Sequence, residues 1–306
     1  MVKLIFKNFW PGFESEPNIF QGFFDNNPEI SELLIKNGIF EVIFHSIFKP
    51  KLHTNLIRRK IQSLTPASDP ILPELSRNSL NIWFSGENLR PPLDIPFDGF
   101  LSFDLDKFDG RNTYFPLIYL SLNPYETNRH PRLGKNYEAS FLTEKRKLSQ
   151  EKIPNSICII AGPHPIRTAA IDALRKDFRV DLFGGIGNSR LEEKYSIARK
   201  YQYMICLEND LYPGYVTEKL VEAYVCETVP LYWGQTTGSN YLNYASMFNL
   251  NDFVSIGGWA ETISNTSNVE YVRKYEQPLL LFPPPINQTL EEFFSKTLDR
   301  KIKISN

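Results

Sequence analysis

The chain of 306 residues has few cysteines and histidines, almost no net charge and no long apolar run. Its three cysteines show none of the short paired spacings of zinc sites, and its four histidines show no ligand spacing. The formal net charge is -1 and there is no basic tract, which argues against binding to a nucleic-acid backbone. No stretch approaches the length of a membrane span. We therefore expect no zinc site, no nucleic-acid partner and no transmembrane segment, with Cys158, Cys206 and Cys226 as buried thiols.

The sequence does contain a polar segment placed between two apolar runs. Residues 203–207 are short and apolar, like a buried parallel strand, and residues 228–233 have the pattern of the next strand. Between them, Pro213-Gly214 predicts a bend and Thr217 is a candidate helix cap. The pattern predicts a strand, a ligand-binding loop, a crossover helix and a second parallel strand.

Cationic and polar side chains collect at this predicted loop. The start of a helix offers free backbone N–H groups and a positive partial charge, and Lys219 adds a full charge at the same end. For a Thr-Glu-Lys triplet alone, the alternative is an ordinary capped helix with a solvated ion pair. The convergence of several polar groups on one sheet edge favours a site for an anion such as phosphate. These groups are Glu208, Asn209, Tyr215, Glu218 and Lys219.

This segment resembles the donor-binding signature of the α-1,3/1,4-fucosyltransferases. The signature runs Phe-Glu-Asn, a short spacer, Tyr-(Ile or Val)-Thr-Glu-Lys, a helix and a Val-Pro-x-x-x-Gly ending. The chain has Leu207 in place of the phenylalanine and matches the rest in order. The resemblance implies an α/β fold of the GT-B type, with two Rossmann-like domains whose parallel sheets face each other across a cleft. It also implies a GDP-fucose donor held mainly by the carboxyl-terminal domain. Glu208 is interpreted as a structural residue that braces the loop.

Two other positions are similar to the same family. Arg167, at a predicted helix start, matches the arginine that contacts the donor diphosphate, and Glu87 matches the proposed catalytic base. Gly184 and Gly185 lie in a glycine-rich loop, which permits close approach of the backbone to a ligand. The implied catalytic residues are Glu87, Arg167 and Lys219. The implied donor site comprises Arg167, Gly184, Gly185, Asn209, Tyr215, Glu218 and Lys219.

The chemistry of transfer from a sugar nucleotide suits these residue types. The leaving diphosphate needs positive charge and the attacking hydroxyl needs a base. Arg167 and Lys219 are expected to supply the first and Glu87 the second, with no cofactor required and with a divalent metal at most stimulating the reaction. The resemblance implies an inverting transfer from GDP-β-L-fucose to an acceptor glycan, α-1,3 on an N-acetylglucosamine or glucose unit. The alternatives are a GT-B transferase of another sugar nucleotide, such as GDP-mannose, and an inactive glycan-binding homologue.

Composition predicts where the two domains meet. A charged and polar stretch at residues 124–154 suits an exposed connection, and it places the boundary near residue 150. Residues 1–150 are expected to form the acceptor-side domain, with acceptor choice in loops 8–21 and 46–77. Residues 151–306 are expected to form the GDP-fucose-binding domain with its terminal helices.

The remaining predictions concern surfaces and location. The helix predicted at residues 290–306 is expected to be solvated, with at most a peripheral membrane contact. Asp104-Leu105-Asp106 resembles the metal motif of a different transferase fold and is interpreted as a solvated turn. Without a signal peptide or anchor in the sequence, the prediction is a cytoplasmic protein, at most peripheral at the inner membrane face.

Overall fold

Five parallel strands form the sheet of the first of two units. The computed structural model describes residues 1–10, 12–14, 18–48, 77–128, 133–148, 150–187, 193–252 and 255–305. The strands are β1 (Lys3–Lys7), β2 (Glu41–His45), β3 (Ser79–Phe84), β4 (Gly99–Ser102) and β5 (Asn112–Tyr114), in the order β1-β2-β3-β4-β5. The helices α1 (Ile19–Asn26) and α2 (Pro28–Lys36) follow β1. Strands β2, β3 and β4 are almost entirely buried, because their apolar residues are covered on both faces of the sheet.

A helix from the far end of the sequence completes this first core. The helix α8 (Ile286–Ser305) buries an apolar stripe at the spacing of one helix face. Phe294 stacks on Phe23 and lies edge-on to Phe24, with ring centroids 5.6 and 4.9 Å apart. The buried stripe consists of Leu290, Phe293, Phe294, Thr297 and Leu298. The prediction of a solvated terminal helix was therefore wrong, because the period of its aromatic residues places them in a core.

Shortening Phe294 to alanine is expected to destabilise the first unit selectively. A buried phenylalanine replaced by alanine typically lowers the free energy of unfolding by about 3–5 kcal/mol. Hydrogen exchange measured by mass spectrometry should show lost protection in β1–β5. The control Lys296→Ala, on the exposed side of the same helix, should change protection little. Equal loss of protection throughout the chain would contradict the assignment of α8 to the first unit.

The second unit contains another sheet of five parallel strands. Its strands are β6 (Ile153–Ile160), β7 (Arg179–Phe183), β8 (Tyr201–Leu207), β9 (Val229–Trp233) and β10 (Phe248–Asn249), in the order β10-β9-β8-β6-β7. Its helices are α3 (Pro165–Leu174), α4 (Lys194–Ala198), α5 (Lys219–Val225), α6 (Ile256–Ser264) and α7 (Asn268–Glu276). Strand β8 lies in the middle of this sheet, and all but one of its residues are buried. Its carboxyl end therefore lies near the centre of one sheet edge.

The two units divide the chain differently from the predicted boundary near residue 150. The first unit comprises residues 1–115 and 287–306, and the second comprises residues 116–286. The charged stretch at residues 124–154 is not exposed throughout, because Arg146 is buried. Its guanidinium lies between the rings of Tyr224 and Tyr275, at 3.9 and 4.3 Å from their centroids. It also donates hydrogen bonds to three backbone carbonyl oxygens of the second unit.

Lys152 makes the stability of the second unit depend on pH. Its buried ammonium donates to the carbonyl oxygens of Arg199 (2.6 Å) and Glu227 (2.7 Å). Burial lowers the pKa of Lys152 to about 8, although the Glu227 carboxylate opposes this. An unfolded chain keeps the lysine proton up to about pH 10.4. Between these two values the unfolded state binds more protons at this group, so the contribution of Lys152 to the free energy of unfolding rises with pH.

Replacing Lys152 with methionine should remove this contribution. The measurement is chemical denaturation at intervals between about pH 8 and pH 10, with each variant compared with the unmodified chain at every pH. The free energy of unfolding of Lys152→Met, taken relative to the unmodified chain, should fall as pH rises. The exposed Lys200, replaced by methionine in the same way, is the matched control, and its difference from the unmodified chain should not change with pH. A difference that is independent of pH in Lys152→Met would contradict the role assigned to Lys152.

The three cysteines are free and buried, as predicted. Burial is the main cause that raises the pKa of each thiol, so they remain protonated at neutral pH. None of the helices in the described ranges has the length and hydrophobicity that a membrane-spanning segment needs.

Candidate functional site

A buried carboxylate lies where β8 ends. Glu208 follows the strand directly, is fully buried, and continues the ladder with a backbone hydrogen bond from its N–H to the carbonyl oxygen of Trp233 (2.8 Å). Its carboxylate oxygens accept hydrogen bonds from the backbone N–H of Thr217 (2.9 Å) and from Lys219 Nζ (2.9 Å). The predicted bracing role of Glu208 agrees with this geometry, since the side chain ties both ends of the loop together.

The predicted helix cap does not form. Helix α5 begins at Lys219, with Glu218 at the capping position and no side-chain cap. The hydroxyl of Thr217 instead donates to the Glu208 carboxylate, at 2.9 Å from Oε2. The prediction that Thr217 caps the helix was therefore wrong, because a buried carboxylate competes for its hydroxyl and its backbone N–H.

Lys219 presents a fixed positive charge at the start of α5. Its ammonium donates to Glu208 and to the hydroxyl of Thr217, both at 2.9 Å, and it lies 4.0 Å from Glu218. Burial alone would lower the pKa of Lys219, but the attraction of Glu208 and then of Glu218 is larger, so the pKa lies above its usual value. An ammonium has three donors, so among the described residues these two hydrogen bonds leave one for a ligand.

Arg167 provides a second cation at the same sheet edge. It lies in the first turn of α3 and is only 6% exposed. Its guanidinium donates to the carbonyl oxygens of Gly162 (2.9 Å) and Leu207 (3.1 Å) and to Oδ1 of Asn209 (2.8 Å). Burial is the main cause that lowers the pKa of Arg167, and the Glu208 carboxylate opposes it. Within the part of the chain that the structure describes, three of its five N–H donors are used, and two are left for an anion.

The other predicted donor residues occupy different environments. Asn209 is exposed as a residue, and its side-chain oxygen is held by Arg167. The ring of Tyr215 is only 1% exposed and belongs to the interior of the loop. The side chain of Glu218 is 38% exposed and faces the neighbouring Lys219. The structure therefore brings Arg167, Asn209, Glu218 and Lys219 to one edge of the sheet, with Tyr215 beneath the loop.

The glycines at positions 184, 185 and 187 allow this loop to pack closely against the backbone of neighbouring residues. Gly184 has a φ of +76°, and a Cβ there would lie 3.1 Å from the carbonyl oxygen of Ala161. A Cβ at Gly187 would lie 2.2 Å from the carbonyl oxygen of Leu182. Gly185 is less crowded, because its Cβ would meet Gly162 at 3.4 Å. Contact of Gly184 and Gly185 with a ligand stays a prediction, and Asn188 of the same loop lies outside the described residues.

Glu87 belongs to the first unit. It follows β3 after two residues and is exposed. A Cβ at the preceding Gly86 would lie 2.4 Å from the hydroxyl oxygen of Ser46, so a larger residue there would displace that side chain. The predicted acceptor loops are described only in part, since residues 11, 15–17 and 49–76 lie outside the described ranges. The role of Glu87 as a base stays a prediction.

The interpretation of Asp104 as part of a solvated turn was wrong. Asp104 is 2% exposed, and Arg90 Nε donates to its Oδ2 at 2.6 Å. The backbone N–H of Asp106 donates to the other carboxylate oxygen at 3.1 Å. The Asp-x-Asp sequence therefore closes a turn after β4, where a buried carboxylate pairs with arginine.

Sequence analysis assigned no individual role to two residues that shape the site. Tyr232, on β9, is fully buried and its hydroxyl lies 3.5 Å from Glu208 Oε1. A Cβ at Gly234 would lie 2.4 Å from that hydroxyl and 2.7 Å from Glu208 Cγ. The Val-Pro-x-x-x-Gly ending of the signature contains both positions. Glu208 lies 24 and 26 positions before them in the chain. Local sequence pattern does not predict contacts over such a separation.

Comparison with known proteins finds a family model that matches much of the second unit. Residues 150–277 match the family model "Glycosyltransferase family 10 (fucosyltransferase) C-term". The "Alpha-(1,3)-fucosyltransferase FucT" of Helicobacter pylori is 26% identical over 230 residues, which is 66% of this chain and 48% of that protein. The "Putative fucosyltransferase R654" of Acanthamoeba polyphaga mimivirus is 26% identical over 231 residues, 71% of this chain and 36% of that protein. The chain thus spans half or less of the length of these curated relatives.

Solved structures establish the fold. A crystal structure of an α1,3-fucosyltransferase with GDP-fucose has a TM-score of 0.61 and 20% identity, covering 97% of this chain and 90% of that chain. A crystal structure of an α1,3-fucosyltransferase with GDP gives the same TM-score at 21% identity and the same coverage. The predicted fold class is confirmed: the protein is α/β, of the GT-B type, with two Rossmann-like domains built on parallel sheets.

Proposed function

We propose that this chain, whose residues 150–277 match the model of glycosyltransferase family 10, is an inverting fucosyltransferase. It would move L-fucose from GDP-β-L-fucose to a hydroxyl of an acceptor glycan, α-1,3 on an N-acetylglucosamine or glucose unit. The observation that carries the proposal is the pair of cations at the carboxyl edge of the second sheet. Arg167 and Lys219 both retain N–H donors beyond those that their contacts with described residues use.

These cations suit the leaving group of the reaction. As the bond from the anomeric carbon to the β-phosphate oxygen breaks, its electron pair stays on the diphosphate, and the negative charge there grows. Arg167 offers a planar fork and Lys219 a compact charge, and both are already oriented by buried partners. Preorganised charge of this kind stabilises a transition state without reorganisation at the moment of reaction.

The attacking hydroxyl needs a base at the same time. Glu87 would take the proton of the acceptor hydroxyl while the acceptor oxygen forms its bond to the anomeric carbon. Because the new bond forms on the face opposite the departing diphosphate, the β-linked donor gives an α-linked product. Glu218 and Asn209 would hold hydroxyl groups of the donor, since an exposed carboxylate and an amide both form hydrogen bonds with sugars.

A donor and acceptor panel tests this proposal. The protein is incubated with GDP-fucose, GDP-mannose or UDP-glucose and with glycans that end in N-acetyllactosamine or glucose, with and without a chelator. Mass spectrometry identifies the transferred sugar, and NMR gives its anomeric configuration. We expect α-linked fucose, inhibition by GDP and retained transfer with chelator. Preferential transfer of another sugar, or glycan binding without transfer from any donor, would contradict the proposal.

A further inference from the structure

We infer that Glu208 is a positioning residue of the donor site, fixing the ammonium of Lys219 and residues 208–217 in one arrangement so that a cation always faces the donor diphosphate. The inference rests on the proposed function and adds a residue that does not itself touch the donor. Glu208 is fully buried, and hydrogen bonds with Thr217 and Lys219 occupy both carboxylate oxygens. Its effect must therefore pass through these neighbours.

A chain of hydrogen bonds links the carboxylate to the cation. Lys219 Nζ donates to the hydroxyl oxygen of Thr217, and that hydroxyl donates to Glu208. Lys219 also donates directly to Glu208 Oε2. The backbone N–H of Thr217 donates to the other oxygen, Oε1. Two contacts therefore fix the ammonium, and two more fix the loop at the residue that precedes α5 by two positions.

The space around Glu208 leaves the carboxylate little freedom to move. The hydroxyl of Tyr232 lies 3.5 Å from Glu208 Oε1. At Gly234 even a methyl group would lie 2.7 Å from Glu208 Cγ and 2.4 Å from the Tyr232 hydroxyl. Real Cβ contacts of this length do not occur without a shift of the neighbours, so glycine is required here. The carboxylate is thus held in a closed compartment formed by β8, β9 and the loop.

The charges around Lys219 make Glu208 its main electrostatic partner. Burial alone would lower the pKa of Lys219, and the attraction of Glu208 outweighs it, with Glu218 contributing less. Glu218 lies 4.0 Å away with a side chain that is 38% exposed, so solvent screens it. The other groups that face this cluster are Tyr215 of the loop, Cys206 of β8, Tyr232 of β9 and Arg167 of α3.

Removing the charge of Glu208 should make donor binding depend on pH. In Glu208→Gln, burial is no longer opposed by the adjacent carboxylate, so the pKa of Lys219 should fall toward the neutral range. Because bound diphosphate requires the protonated ammonium, affinity then falls as pH rises. We expect GDP affinity, measured by calorimetry, to fall about 10- to 100-fold between about pH 7.5 and pH 9.5 in Glu208→Gln, and to stay nearly constant in the unmodified protein.

Two further variants distinguish the positioning of Lys219 by Glu208 from a general loss of protein stability. Glu222→Gln breaks another buried glutamate–lysine pair, in which Lys194 Nζ lies 2.6 and 2.7 Å from the carboxylate oxygens. It should lower the unfolding temperature as Glu208→Gln does, yet leave GDP affinity and its pH dependence unchanged. Adding Lys219→Arg to Glu208→Gln should restore a flat pH profile, because a guanidinium stays charged.

The outcomes distinguish the inference from the proposed function. If GDP affinity depends on pH in Glu208→Gln as it does in the unmodified protein, the inference is overturned, even if the affinity is lower at every pH. Should Glu208→Gln fail to fold, Thr217→Val removes the bridging hydroxyl and keeps the carboxylate. A loss of GDP affinity of about three- to tenfold at both pH values supports positioning, and unchanged affinity contradicts it. If the unmodified protein binds GDP but transfers no fucose, the proposed function is refuted. The comparison of GDP affinity between Glu208→Gln and the unmodified protein then still tests the inference.

Discussion

The variant Glu87→Gln is expected to bind GDP normally and to transfer fucose about 10²- to 10⁴-fold more slowly than the unmodified enzyme. An amide has nearly the shape of the carboxylate but does not accept the proton of the acceptor hydroxyl. Glu87 is exposed in the first unit, so stability should be little affected. Calorimetry with GDP and initial transfer rates measured at saturating donor separate the two effects.

The exposed Glu32 on α2 offers a matched control for Glu87. Glu32→Gln makes the same chemical change in the same unit, on a helix that follows β1 rather than at the carboxyl end of a strand. It should transfer fucose at the normal rate. If Glu87→Gln kept more than about a tenth of the normal rate, the loss would be smaller than removal of a general base produces, and another group would have to be the base.

Arg167→Lys is expected to lower kcat/KM for GDP-fucose about 10²- to 10³-fold. The guanidinium of Arg167 donates to Gly162, Leu207 and Asn209 and still has N–H groups for an anion. Lysine keeps the positive charge but has no planar fork that could make all these contacts at once. Because the interaction is proposed to strengthen as the diphosphate leaves, most of the loss should appear as a lower kcat and less as a higher KM for GDP-fucose. Initial rates over a range of donor concentrations give this division.

Arg175 at the other end of α3 provides the comparison for Arg167. It is exposed at the end of the helix, so Arg175→Lys makes the same substitution without touching the site, and its kinetics should be normal. Thermal unfolding of Arg167→Lys shows how much of its effect is structural. A rate within about fivefold of normal, with unchanged stability, would remove Arg167 from the proposed machinery.

Local sequence pattern predicted the elements that are formed by residues adjacent in the sequence. The apolar run at residues 203–207 is the core of β8, and the polar residues after it do lie at the carboxyl edge of a parallel sheet. The helix after Thr217 forms as well, because Leu220, Val221 and Ala223 pack inward. The fold class followed from the same segment once its spacing was compared with a known family.

Features that depend on distant partners were not predictable in this way. Arg146 has the appearance of a surface residue in a charged stretch, yet three carbonyl oxygens and two tyrosine rings surround it. Thr217 has the signal of a helix cap, but a carboxylate nine residues earlier binds it instead. In both cases the energetic gain comes from pairing a buried polar group, and the partner is fixed only when the chain has folded.

Because α8 packs in the first unit, the core of the second unit can be completed during synthesis before the core of the first. The second unit is complete once residue 286 has been made, because it is one continuous stretch of chain. The first unit must wait for residues 287–305, since Phe293, Phe294 and Leu298 fill its core. Until then its aromatic residues, Phe23 and Phe24 among them, lack that covering helix. Of the two units, the one whose synthesis begins earlier is therefore the later to have its core completed.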